Sequence, residues 1–185
     1  MRFFVQILPV LLASNGGGVN LERLKSSLDM AFDAASEARD FLAKDKYDQA
    51  AQSFGDALNL GRKPVLTMQE LEDDIVDEED QKEALEWLID ICCESSILNL
   101  NHLEKIDQAR SDAWAACMFS QYGKWKPLNC MRLVCARQND SIGELQACKQ
   151  LLDLPKEESP DKSEREAVSK RLNQLEEMLG AGSTK

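Results

Sequence analysis

From Asn20 onward, apolar residues recur at intervals of three and four, the period of an amphipathic helix. No run of strand-like alternation lies outside the first dozen residues. Asn20 can cap a first helix carrying Leu21, Leu24, Leu28 and Ala31, which continues through Phe41 to about Ala43. Lys44-Asp45-Lys46 breaks it, and a second helix follows from Tyr47 to Leu60, ended by Gly61 and Pro64. Thr67 with Glu70 reads as a capping box opening a short helix ahead of an acidic block, Glu70 to Asp80. A long helix then starts near Glu79 and carries Leu85, Leu88, Cys92, Ile97 and Leu100 toward His102. The next spans Lys105 to Ser120 and stops at Tyr122-Gly123; Trp125 and Pro127 open another that runs to about Arg137. Ser141 with Glu144 is a further capping box, for a helix closed by Leu154-Pro155. The last helix starts at Ser159-Pro160 or at Ser163 with Glu166, bears the stripe Val168, Leu172, Leu175 and Leu179, and ends at Gly180. Short joints between paired helices imply antiparallel hairpins stacked side by side in an all-α fold.

A pattern recurs within this series. Tyr47, Ala50, Phe54 and Ala57 stand three, four and three apart; Ile106, Ala109, Ala113 and Ala116 repeat the spacing, and Asp140, Gly143, Ala147 and Gln150 repeat it again. Recurrence at a fixed period marks a solenoid whose units bury their apolar faces against each other. The stretch from Ala31 to Pro64 resembles a tetratricopeptide repeat, with Tyr47-Asp48-Gln49-Ala50 to Leu60 as its second helix, and Ala38 and Phe41 at the small and aromatic positions of its first. Two helices cross closely only where residues such as Ala38, Ala50 and Ala57 are small, while Phe41, Tyr47 and Phe54 fill the remaining volume. The resemblance extends to repeats at about 90–123 and 124–155, both degenerate. The first of these has Ile97 where a small residue is usual, and the second has Val134, Asp140 and Ala147 at aromatic positions. It implies a short right-handed superhelix over residues 19–180 with a capping helix at 160–180, as in large immunophilins and co-chaperones. An extra stretch, Val65 to about Glu79, either lengthens a hairpin or lies across the groove. An ordinary Ala-rich helical bundle is the plainer alternative.

Composition suits one folded domain: of 185 residues, 43% are hydrophobic and 30% charged. A net charge of -11 argues against a nucleic-acid partner, whose phosphates require clustered Lys and Arg. Six cysteines sit at helical positions among apolar neighbours, with no CxxC pair and one histidine, so neither a disulfide framework nor a metal site is expected. That usage points to the reducing cytoplasm. Residues 1–18 point elsewhere, because Phe3 to Ala13 is an apolar run laid out like a short signal peptide, too short to span a bilayer. It is either a cleaved signal, which would place the protein in the secretory pathway or an organelle lumen, or an apolar leader. Residues 181–185 form a loose tail.

The resemblance also implies a concave groove lined by the first helix of each repeat. Carrying its register across selects Arg39 from the first, Ser95, Asn101 and His102 from the second, and Trp125, Asn129 and Arg132 from the third. A carboxylate clamp for chaperone tails does not match, since Ala35, Arg39, Ser95, Trp125 and Asn129 occupy its positions. What remains suits a protein or peptide partner of acidic or mixed charge, with Trp87 and Trp114 packed at helix contacts. No catalytic set, cofactor or metal is expected: His102 has only Glu94 and Asp107 near it in sequence, and Gly16-Gly17-Gly18 lacks the Lys-Ser/Thr of a phosphate loop. The oligomeric state stays open. The expectation is an interaction scaffold, an adaptor or co-chaperone, rather than an enzyme.

Overall fold

The computed structural model describes residues 20–71, 75–158 and 160–181, in which all regular structure is helical. The leader at 1–18 and the tail beyond Ala181 lie outside the described residues. The chain divides into two compact units, Met1–Leu88 and Ile89–Lys185.

In the first unit, the Asn20 side chain accepts the Arg23 N–H at 3.0 Å and opens α1 (Leu21–Leu42). This satisfies one of the donors that a helix start leaves without a partner. α2 (Tyr47–Met68) runs back against α1. It does not stop at Leu60 as its Gly61 and Pro64 suggest, but continues through both. A proline inside a helix costs about 3 kcal/mol relative to alanine. Val65 and Met68 beyond it are 0% and 2% exposed, and burial of two such side chains contributes about 1.5–3 kcal/mol each, enough to carry the helix past the break. Thr67 and Glu70 therefore open no new helix: the Glu70 N–H bonds to the Thr67 carbonyl at 3.1 Å at the end of α2. The first residues of the extra stretch thus lengthen α2.

Gly61 has a different role from the stop signal it resembles. A Cβ there would stand 2.6 Å from the Trp87 ring and 3.3 Å from the Ala31 Cβ. Trp87 lies on α3 (Glu78–Asn101), which contributes its residues up to Leu88 to this unit. The ring also meets Phe32 edge-on, with centroids 4.6 Å apart. Only a residue without a side chain lets α2 approach this closely.

The second unit continues α3 from Ile89 and adds α4 (Ile106–Phe119), α5 (Trp125–Arg137), α6 (Ser141–Asp153) and α7 (Lys162–Ala181). Within it α4 packs on α5, α5 on α6 and α6 on α7, each helix against its successor. Cys117, Trp125, Leu128, Cys148, Leu151, Val168 and Leu175 form a core shared by α4 to α7. Two helix starts differ from the expected ones. Asp140, not Ser141, caps α6 by accepting the Gly143 N–H at 2.9 Å, and Asp161 caps α7 by accepting the Glu164 N–H at 2.8 Å. Gly180 does not end α7, which extends to Ala181. Trp87 is buried as expected, whereas Trp114 is 54% exposed on α4.

The joints repeat even where the side chains do not. Asp45, Glu104 and Asn139 each adopt a left-handed φ, of 56°, 54° and 56°, two residues before α2, α4 and α6 respectively. At each joint the following N–H reaches back over the helix end: Lys46 to the Phe41 carbonyl, Lys105 to Asn99 and Asp140 to Cys135, all at 2.9 Å. Such bonds satisfy carbonyls that a helix end would otherwise leave unpaired. Aligned on these joints, Ala50 corresponds to Ala109 and to Glu144, and Ala38 to Ser96 and to Arg132. The third set is therefore one residue later than its spacing suggests: Ser141, Glu144, Cys148 and Leu151, the last three at 2%, 0% and 0% exposure, whereas Gln150 is exposed. In the second hairpin the small residue is Ser96, at 0% exposure, not Ile97, because the joint there is one residue longer between its acceptor carbonyl and its left-handed residue.

Candidate functional site

The hairpin crossing follows from this alignment. In the first hairpin its two positions are Ala38 and Ala50, both fully buried. In the second they are Ser96 and Ala109, and the Ser96 hydroxyl donates to the Ala109 carbonyl at 2.8 Å. In the third they are Arg132 and Glu144, with the guanidinium 3.9 Å from the carboxylate. Arg171 of α7 completes this last pair, its Nε and Nη2 each 2.7 Å from one Glu144 oxygen. That fork satisfies both oxygens of a carboxylate whose side chain is 3% exposed. The carboxylate raises the Arg171 guanidinium above its ordinary range through the hydrogen bond, against a smaller opposing effect of burial.

Above the pair, Asn129 accepts from the Arg132 Nε at 2.9 Å, and both residues line a cleft of about 140 Å³ with Glu164, Ala167 and Val168 of α7. The Trp125 indole N–H donates to Glu164 at 3.1 Å at the same edge. Small-molecule sites occupy about 300–1,000 Å³. This cleft is below that range and is large enough for a single side chain only.

The residues selected from sequence separate into three groups. Asn129 and Arg132 come together at the cleft. Asn101 and His102 lie exposed at the end of α3, and Arg39 lies half-exposed in the last turn of α1, in the first unit. Ser95 and Trp125, each 3% exposed, are interior and offer no groove surface. Ser95 donates to Asp112 at 2.8 Å, and Asn99 and Gln108 donate to the same carboxylate at 3.4 and 2.8 Å. Asp112 is 2% exposed, so these donors replace water around it. Loss of one hydrogen bond to a buried charge costs about 1.5–3 kcal/mol. Ser95→Ala is accordingly expected to lower the stability of the second unit by about 2 kcal/mol in urea unfolding, and a change under 0.5 kcal/mol would show that the remaining donors suffice.

Sequence reading missed a second hollow. Met30, Ala34 and Leu60 floor an open groove of about 630 Å³ between α1 and α2, rimmed by Asp33, Glu37 and Asp56. Its signal was present, since Asp33 and Glu37 recur four apart beside the apolar stripe of α1, but the register borrowed from the repeat family directs attention to the other face.

No protein-family model matches the chain, and no curated protein is significantly similar to it. Among the described residues no helix is long and apolar enough to cross a membrane, and no group of three metal-ligating side chains converges.

Proposed function

We propose that the chain is a tetratricopeptide-type interaction scaffold that holds an extended peptide or a helix of a partner protein, as an adaptor or co-chaperone does. The observation carrying this reading is the recurrence of one joint geometry at Asp45, Glu104 and Asn139, with the crossing positions in register on either side. Helical pairs repeated in this way present exposed rows of side chains rather than one enclosed site. Each unit supplies its own contacts: Arg39 in the first, and Asn101, His102, Asn129 and Arg132 in the second. Six buried cysteines, none joined in a disulfide, favour a reducing, cytoplasmic setting for this activity.

The two arginines suit acidic residues of a partner peptide. Arg39→Glu and Arg132→Gln are each expected to reduce binding of acidic peptides from an immobilised peptide array about tenfold, roughly 1.4 kcal/mol, with helix content by circular dichroism unchanged. Undiminished binding by both variants would remove these residues from the contact surface. A second reading has its own observation in the acidic rim of the α1–α2 groove, which suits a basic amphipathic segment. Binding of basic peptides that is lost in Asp33→Lys and retained in the arginine variants would favour it.

A further inference from the structure

The open groove between α1 and α2 does not end at its acidic rim. Asn59 lines it and also lines a second hollow, of about 400 Å³, further along α2. This second hollow carries the opposite charge: Arg62 and Lys63 line it together with Leu66, and Glu70 stands at its far end. Met30 in the first hollow is 55% exposed and Leu66 in the second 39%. One surface of the first unit therefore holds an acidic half and a basic half, each with an apolar side chain open to water.

The spacing along α2 relates the two halves. Asp56, Asn59 and Lys63 are exposed and stand three and four residues apart, so they share one face of the helix. Asp56 and Lys63 lie equally far, about 5 Å along the axis, on either side of the midpoint between Asn59 and Leu60. A half-turn about a line through that midpoint, perpendicular to α2, exchanges the two positions.

We propose that this surface is the interface of a homodimer, in which α2 packs antiparallel on α2 of a second copy and Asp56 of each chain meets Lys63 of the other. Arg62 adds its charge to the same half, opposite the acidic rim, and the pairing covers Met30 and Leu66. Such an interface is self-complementary, so every contact occurs twice. The proposal rests on the reading of the α1–α2 groove as a site for a basic segment, and it names that segment: Arg62, Lys63 and Leu66 of another copy. A net charge of -11 keeps copies of this chain apart at long range. Their contact therefore needs a local match of opposite charges, which the two hollows supply.

Sedimentation equilibrium of the full-length chain over about 1–100 μM tests this. The mass is expected to rise with concentration from 20.8 kDa toward twice that value. Asp56→Lys and Lys63→Glu are each expected to weaken self-association more than about tenfold, since each sets like charges together at both symmetry-related contacts. An equimolar mixture of the two variants regains the wild-type affinity, because opposite charges then meet at both contacts, and so does a chain bearing both changes. The proposal is overturned by a wild-type chain that stays at 20.8 kDa, by a mass that climbs past twice that value, by undiminished pairing in both single variants, or by a mixture and a doubly changed chain that both stay monomeric. A monomeric wild-type chain that still binds basic peptides overturns the pairing alone and leaves the reading of the groove intact. Because the wild-type series needs no variant, misfolding of a variant cannot rescue the idea.

Discussion

Replacing Gly61 with alanine is expected to destabilise the first unit, although alanine is the better helix former by about 1 kcal/mol. The added methyl group would meet two Trp87 ring carbons at 2.6 and 2.7 Å. The ring cannot turn aside freely, because its edge contact with Phe32 holds it. Overpacking of this kind costs about 1–3 kcal/mol, occasionally more, and contacts this short against a held ring put the cost in the upper part of that range, leaving a net loss of up to about 2 kcal/mol after the propensity gain. Gly55, on the same helix, supplies the internal control, since a Cβ there meets nothing within 4 Å. Gly55→Ala should therefore raise stability by about 0.5–1 kcal/mol. Chemical unfolding followed by circular dichroism reads both signs. Trimming the ring in the double variant Gly61→Ala with Trp87→Leu should cost less than the sum of the two single changes, because the clash exists only when both side chains are present. A stabilising Gly61→Ala, or strict additivity in the double variant, would mean that Trp87 does not press on α2.

The same residue shows where sequence reading stops. Helix starts such as Asn20 are legible because a cap and the N–H that donates to it lie within one turn, and the α4 and α5 boundaries follow from local signals in the same way. Gly61 and Pro64 carry the local signature of a helix end; the burial of Val65 and Met68 beyond them overrules it, and the glycine is there for Trp87, a contact made by a different helix. The degeneracy assigned to the second hairpin has a comparable origin. One extra residue in its joint moves the small position from Ile97 to Ser96, and a fixed period has no means of absorbing that residue. Ser95 and Trp125 were selected by register alone. Their burial is set by Asp112 and by Glu164, 17 and 39 residues away. The cleft residues Asn129 and Arg132 survive because a helix surface is periodic. Their companion Glu144 did not stand out, because a glutamate four residues into a helix reads as a cap.

Removing the Arg171 side chain should be among the most damaging single changes in the second unit, and more damaging than removing the glutamate it holds. Glu144 is 3% exposed at its side chain and Arg171 37%. Arg171→Met leaves a carboxylate at the α5–α6 crossing with only the Arg132 guanidinium, at 3.9 Å, to compensate it. Uncompensated buried charges cost about 3–5 kcal/mol, and the distant arginine places the expected loss near the lower end, about 3 kcal/mol. Glu144→Leu leaves two arginines that can still reach water through their partly exposed ends, so its cost should be about 1 kcal/mol. With both changes made no buried carboxylate is left without a partner, and the Arg132 that stays at the crossing is 19% exposed at its side chain and can still reach water, so stability should recover to within about 1 kcal/mol of wild type. Unfolding followed by the fluorescence of Trp125, which is hydrogen-bonded to α7, reports on this part of the unit. Equal losses in the two single variants would show that the ion pair contributes through its attraction alone. A larger loss in Glu144→Leu would show that the arginines, and not the carboxylate, are the groups that cannot be left unpaired.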